Sequence, residues 1–182
     1  MGLFGRRNTM PYSKYPQNNS SVQNNRRNRA AQMAAANTSN MMQNAPTELK
    51  DYGPNPFAID IDKATKENPN FRLALWSGPH LQVTLMSIPP GGEIGLENHS
   101  NLDQFLRLEA GEGLVMMGDT KDNLDFKQKV TDGSAFIVPA NTWHNLINIG
   151  NTPIKLYSIY APPKHPFGTV HPTKADADAA EE

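Results

Sequence analysis

The chain has 182 residues, a formal net charge of −1 and no cysteine. That length suits one domain with a real core, and the absence of cysteine excludes disulfides, thiolate metal sites and thiol nucleophiles. No apolar run approaches the roughly 20 residues of a membrane-spanning helix. Arg6 and Arg7 are not followed by the apolar stretch of a secretory signal. A cytoplasmic protein with no membrane partner is therefore expected.

Residues 1–46 hold six of the 17 basic residues (Arg6, Arg7, Lys14, Arg26, Arg27, Arg29) and none of the 18 acidic ones. They are rich in Asn, Gln, Ser and Ala, which bury too little apolar surface to offset the entropy of ordering. The reading is a disordered basic tail over 1–46, with a nascent helix from Arg26 to Ala36, ahead of a folded domain over 47–182. No aromatic residues interleave with the arginines to stack on bases. Nucleic acid is not expected as a partner beyond nonspecific contact with the tail.

From about residue 50 the pattern becomes β-rich. A helical turn or two is expected at Asp62–Asn68. Strands are expected at Phe71–Trp76, Leu81–Ile88, Gln104–Glu109, Gly113–Met117, Phe126–Val130, Ala135–Val138, His144–Ile149 and Ile154–Tyr160. Turn sequences separate them, such as Pro89-Pro90-Gly91-Gly92, Asp132-Gly133 and Gly150-Asn151. Short strands at this spacing read as an all-β sandwich or barrel. A Pro/Gly-rich tail holding His165 and His171 is expected to wrap the barrel, and Thr173–Glu182 to form a frayed helix.

Metal chemistry is the strongest functional signal, and the five histidines are its natural donors. Glu97 and His99 are two apart, so on a strand they share a face and can reach one ion. Gln104 opens the next strand, and if it faces inward then Leu106 and Leu108 do too, the expected core pattern. Arg107 and Glu109 would face outward. His144 shares its face with the apolar Leu146 and with Asn148, which also directs it inward. His80 follows Pro79 in a turn and is expected to be exposed.

These residues fall on two spaced motifs. Gly91 is followed after five residues by Glu97-Asn98-His99, after four more by Gln104 and after six more by Gly111. Gly133 is followed after five residues by Pro139-Ala140-Asn141, after two more by His144 and after three more by Asn148. Every interval resembles the two motifs of the cupins. The sequence departs from the common cupin pattern in three places. Glu97 stands where His is usual, Gln104 where Glu is usual, and Asn141 where Gly is usual. Asn tolerates left-handed backbone, so the turn at Asn141 is expected to survive. The other two departures look like an exchange that moves the carboxylate within the ligand set. That set resembles a group of small single-domain bacterial cupins described as mannose-6-phosphate-isomerase-like. The segment from Tyr157 to Pro163 and on through Gly168 to His171 looks like their C-terminal end.

The resemblance implies a double-stranded β-helix of jelly-roll type, a metal held by Glu97, His99, Gln104 and His144, and a homodimer. Nitrogen and oxygen donors without sulfur suit Mn, Fe, Ni, Co or Zn as a divalent ion. Two readings of function follow. One is a metal-dependent enzyme acting on a small oxygen-rich molecule, as a sugar or sugar-phosphate isomerase or a dioxygenase. The other is a module that binds a metal or small ligand without turnover, or a structural protein, its basic tail recruiting a partner. A phosphosugar isomerase would need basic groups at the barrel mouth, where strand-end Lys and Arg are sparse.

Overall fold

The computed structural model describes residues 24–34 and 48–180. The chain divides into two units, Met1–Pro46 and Thr47–Glu182. In the first, a helix (α1) covers residues 24–34, all of them exposed. It coincides with most of the helix expected from Arg26. The disorder expected of the rest of the tail lies outside the described residues.

The second unit runs α2 (Ile61–Glu67), β1 (Arg72–Ser77), β2 (Gln82–Ile88), β3 (Asp103–Ala110), β4 (Glu112–Gly118), β5 (Phe126–Thr131), β6 (Ala135–Val138), β7 (Trp143–Asn148), β8 (Ile154–Ala161), β9 (Val170–His171) and α3 (Lys174–Ala179). Each of the eight expected strands is present, its ends within one residue of expectation. β9 was not foreseen, because two residues carry no periodicity. It pairs with Leu73 and Arg72. The last residues of the expected terminal helix, Glu181 and Glu182, lie outside the described residues.

The strands form a six-stranded sheet in the order β6-β3-β8-β2-β1-β9 and a three-stranded sheet in the order β5-β4-β7. Register sorts the inner face of the larger sheet into rows. Gln82, Tyr160 and Gln104 are paired across β2, β8 and β3. The next row is Ala74, Thr84, Ser158, Leu106 and Phe136. Below it lie Arg72, Met86, Leu156 and Leu108, and then Ile88 and Ile154. Met86, Leu106, Leu108 and Leu156 pack with Val115 and Leu146 of the second sheet as one buried core. Arg72 apart, the interior is therefore apolar at one end and polar at the other.

The outer face is covered by α2, which lies against β8, β3 and β2. Asp60 caps that helix by accepting from Lys63 N. Ala64 packs on Leu73, Leu75 and Leu85. This cover explains one departure from expectation. Glu109 does face outward, yet it is only 3% exposed. Burial raises its pKa, against the pull of Arg107 beside it.

A stretch without regular strand structure completes the second sheet. Asn148 N donates to Gly92 O, Ile94 N to Leu146 O, and Glu97 and His144 exchange both backbone hydrogen bonds. Residues 91–97 thus run antiparallel to β7. Farther on, Asn141 N donates to His99 O at 2.7 Å, and Thr142 N closes a turn onto Pro139 O at 3.2 Å. That turn needs left-handed backbone at its third position, and Asn141 has φ 65°. The substitution of Asn for the usual Gly is thereby accommodated. Asn148, the last motif residue, donates to Ile88 O and Thr152 O and accepts from Gly150 N, tying three loops together.

Asn141→Val should destabilise the protein by about 1–2 kcal/mol, the cost of a β-branched residue in left-handed backbone, whereas Asn141→Gly should be close to neutral. Urea unfolding checks this, and equal midpoints for the Val variant and the parent would refute the turn's role.

Candidate metal centre

Glu97 and His144 come from facing backbone segments, and their mutual pair of hydrogen bonds, 3.0 and 2.9 Å, puts both side chains on the inner face. His99 follows two residues after Glu97 and is anchored by Asn141. The result is a compact cluster. Glu97, His99 and His144 each offer a ligand atom, and these atoms all lie within 4.8 Å of one another. Glu97 Oε1 is 3.2 Å from His144 Nε2 and 3.4 Å from His99 Nε2. The His144 side chain is 1% exposed, His99 5% and Glu97 17%.

The tautomer of His144 follows from its other nitrogen. Nδ1 lies 3.0 Å from Thr142 O, and a carbonyl only accepts, so Nδ1 carries the proton and donates. In the neutral ring Nε2 then presents a lone pair to a carboxylate oxygen. Two lone pairs at 3.2 Å repel unless a positive charge lies between them. A proton or a metal ion would supply it. Burial pushes the Glu97 carboxyl upward, but the two imidazoles beside it, His144 first and then His99, outweigh it and hold Glu97 well below the usual carboxylate range. Glu97 is ionised at neutral pH.

Gln104 is 1% exposed on the same inner wall. Its Nε2 donates to Ser158 Oγ at 3.0 Å. Its Oε1, like His99 Nε2, is buried without a hydrogen-bond partner. Native interiors rarely leave such acceptors unsatisfied, so the donor set fits a cation in this space. The expected residues Glu97, His99 and His144 are brought together. Gln104 sits on the neighbouring wall, across from Tyr160, whose ring is 6.0 Å from that of His99.

Three further residues take positions that escaped the sequence reading. His165 was expected only in a wrapping tail. Its backbone is clamped by Gln82, whose Oε1 accepts from His165 N and whose Nε2 donates to His165 O, both at 2.9 Å. The ring packs edge-on against Tyr160 at 5.2 Å. Arg72 is 2% exposed, shares its row with Met86 and faces inward, so the strand-end basic residues are not all outside the barrel. His171 pairs with Arg72 across β1 and β9. The alternation of Arg72 and Ala74 with Leu73 and Leu75 was the available signal for Arg72. His80 is exposed, as expected.

An all-β barrel with inward histidines and a carboxylate at motif spacing defines a class, the jelly rolls with a candidate metal site. The particular family follows from comparison with known proteins. Residues 84–160 match the family model described as Cupin domain. The chain is 66% identical over 134 residues to the protein YrkC of Bacillus subtilis (strain 168), covering 74% of this chain and 72% of that one. It is 37% identical over 115 residues to protein L612 of Acanthamoeba polyphaga mimivirus, covering 63% and 70%. The crystal structure of BH2720 from Bacillus halodurans superposes with a TM-score of 0.72 at 61% identity, covering 72% of this chain and 99% of that one. The chain belongs to the cupin family, among its small single-domain bacterial members.

His165 also gives the site a pH signature. Burial lowers its pKa from 6.5 to about 3, helped by the positive charge of Arg72. The folded protein keeps His165 neutral while the unfolded chain protonates it below 6.5, so this contribution to stability is present above pH 6.5 and drains away as pH falls toward about 3. His165→Asn should lose stability less steeply across that window than the parent in urea titrations. Parallel curves would contradict the neutral, buried ring.

Proposed function

We propose that this cupin holds one divalent transition metal ion through Glu97, His99 and His144, with Gln104 Oε1 as a fourth donor, and uses it to bind and activate a small oxygen-rich molecule. The observation that carries this reading is the convergence of lone pairs. A carboxylate oxygen lies within 3.4 Å of two imidazole Nε2 atoms, and an amide oxygen on the adjoining wall is buried without a partner. Two imidazoles, one carboxylate and one neutral oxygen suit Mn, Fe, Ni, Co or Zn and leave coordination positions open on a six-coordinate ion. When bound, the ion would supply Lewis acidity to a carbonyl or enol oxygen and, as iron, would also bind dioxygen.

The chain's own residues define the rest of the role. Thr142 O fixes the His144 ring with Nε2 toward Glu97, where it would be available to an ion. Ser158 Oγ orients Gln104 with its oxygen free. Tyr160, 1% exposed, walls the site beside His99 and limits water. These features support an ordered, preorganised centre that could act on a bound ligand. Isomerisation of a sugar or oxidation by dioxygen are the reactions within this reading.

Metal analysis of the purified protein by mass spectrometry tests it. About one equivalent of a first-row transition metal is expected in the parent, and at least a tenfold loss in His144→Ala and Glu97→Ala, the scale on which ligand loss weakens such sites. Unchanged content in both variants would sink the assignment. Oxygen uptake by the iron-loaded protein, scored with candidate ligands, then separates oxidation from isomerisation.

A further inference from the structure

We infer that the outer face of the larger sheet is the interface of a two-fold homodimer, in which Ile137 of each copy seats in a groove beside Trp76 of the other. An antiparallel sheet with one face on the core ordinarily turns polar side chains outward. One row of this sheet does the opposite. Ile137 on β6 is paired with Phe105 on β3, Phe105 with Ile159 on β8, Ile159 with Val83 on β2, and Val83 with Trp76 on β1. The residues that flank the first four along their strands, such as Gln104 and Leu106 or Ser158 and Tyr160, are buried and inner-facing, so these four point outward. Trp76 joins them past a break in register after Ala74 and lines one groove with Val83.

The chain leaves this row uncovered. Ile137 is 61% exposed, and Leu81, one alternation before Val83, is 38% exposed. Trp76, Val83, Phe105 and Ile159 are half-buried. No charged residue stands in the row. Asp103 and Arg107 flank Phe105 on β3, and both are already engaged, Asp103 Oδ1 accepting from Ala140 N and Arg107 pairing with Glu109. A continuous apolar strip with polar residues at its rim marks a protein contact.

The two ends of the strip differ in shape. Ile137 stands on the edge strand β6 as a knob. At the other end a groove of about 330 Å³ opens among Phe57, Ile59, Trp76, Leu81 and Val83. β8 is the middle strand of the five. A two-fold axis lying in the face and running along β8 therefore exchanges the ends. Ile159 then meets its own counterpart, Phe105 meets Val83 of the second copy, and Ile137 enters the groove. Each of these contacts is made twice, as an isologous interface requires. The four strand spacings span about 19 Å. With the groove and the rim, the patch approaches the roughly 800 Å² per partner of a stable interface. A different partner would have to supply the matching knob and groove, which a second copy already carries.

Analytical ultracentrifugation of the full chain at micromolar concentration, with Ile137→Glu and Leu81→Glu as variants, tests the inference. The parent should sediment at twice the 20.1 kDa of one chain. Each variant should raise the dissociation constant about tenfold or more, the loss expected at an apolar anchor, with the circular dichroism of the parent, because both positions are exposed in the single chain. A monomeric parent, or a dimer unchanged in both variants, would overturn the interface. The chain has no cysteine, so the axis can be tested by thiol cross-linking. With a short bis-maleimide, Ile159→Cys should link to its own twin, and Ile137→Cys should link to Leu81→Cys in a mixture of the two variants. Ile159→Cys that stays unlinked in a dimeric preparation, or Ile137→Cys that links to itself, would overturn the two-fold along β8.

Discussion

Glu97 N donates to His144 O at 3.0 Å and His144 N donates to Glu97 O at 2.9 Å. This pair of hydrogen bonds joins an irregular segment to the inner edge of the smaller sheet. Antiparallel pairing of this kind fixes the faces of both residues at once. A slip of one residue would turn the carboxylate or the imidazole out of the barrel. The neighbouring bonds, Ile94 N to Leu146 O and Asn141 N to His99 O, hold the register on either side. The donor cluster is a consequence of backbone pairing, and the side chains need little freedom to meet.

The price of that geometry is electrostatic. A buried carboxylate between two imidazoles, one of them locked with its lone pair inward by Thr142 O, is unfavourable without a cation among them. The barrel's division into an apolar end and a polar end localises the problem. Leu106, Leu108, Leu156 and Met86 are fully buried and pack without polar atoms. Thr84, His99, Gln104 and His165 each carry a buried side-chain atom with no hydrogen-bond partner among the described residues. A fold can tolerate such groups where a ligand completes them.

The fold was largely legible in the sequence because strand rhythm and turn residues are local signals. The alternation of Gln104, Leu106 and Leu108 and the turn at Asn141 both follow from backbone rules that need no tertiary knowledge. The site was legible to the extent that it lies on motif spacing, which is how Glu97, His99 and His144 were found. His165 was not, since its place depends on a strap folding back 83 residues to meet Gln82. The burial of Glu109 was missed for a similar reason: nothing in β3 reports that α2 packs over its outer face.

Anomalous X-ray diffraction from crystals of the metal-loaded protein, collected at the absorption edge of the ion found, tests the central claim most directly. A single peak lying between Glu97 Oε1, His99 Nε2 and His144 Nε2, with Gln104 Oε1 turned toward it, is the predicted result. A peak elsewhere, or none at the cluster in a protein that carries a full equivalent of metal, would contradict it.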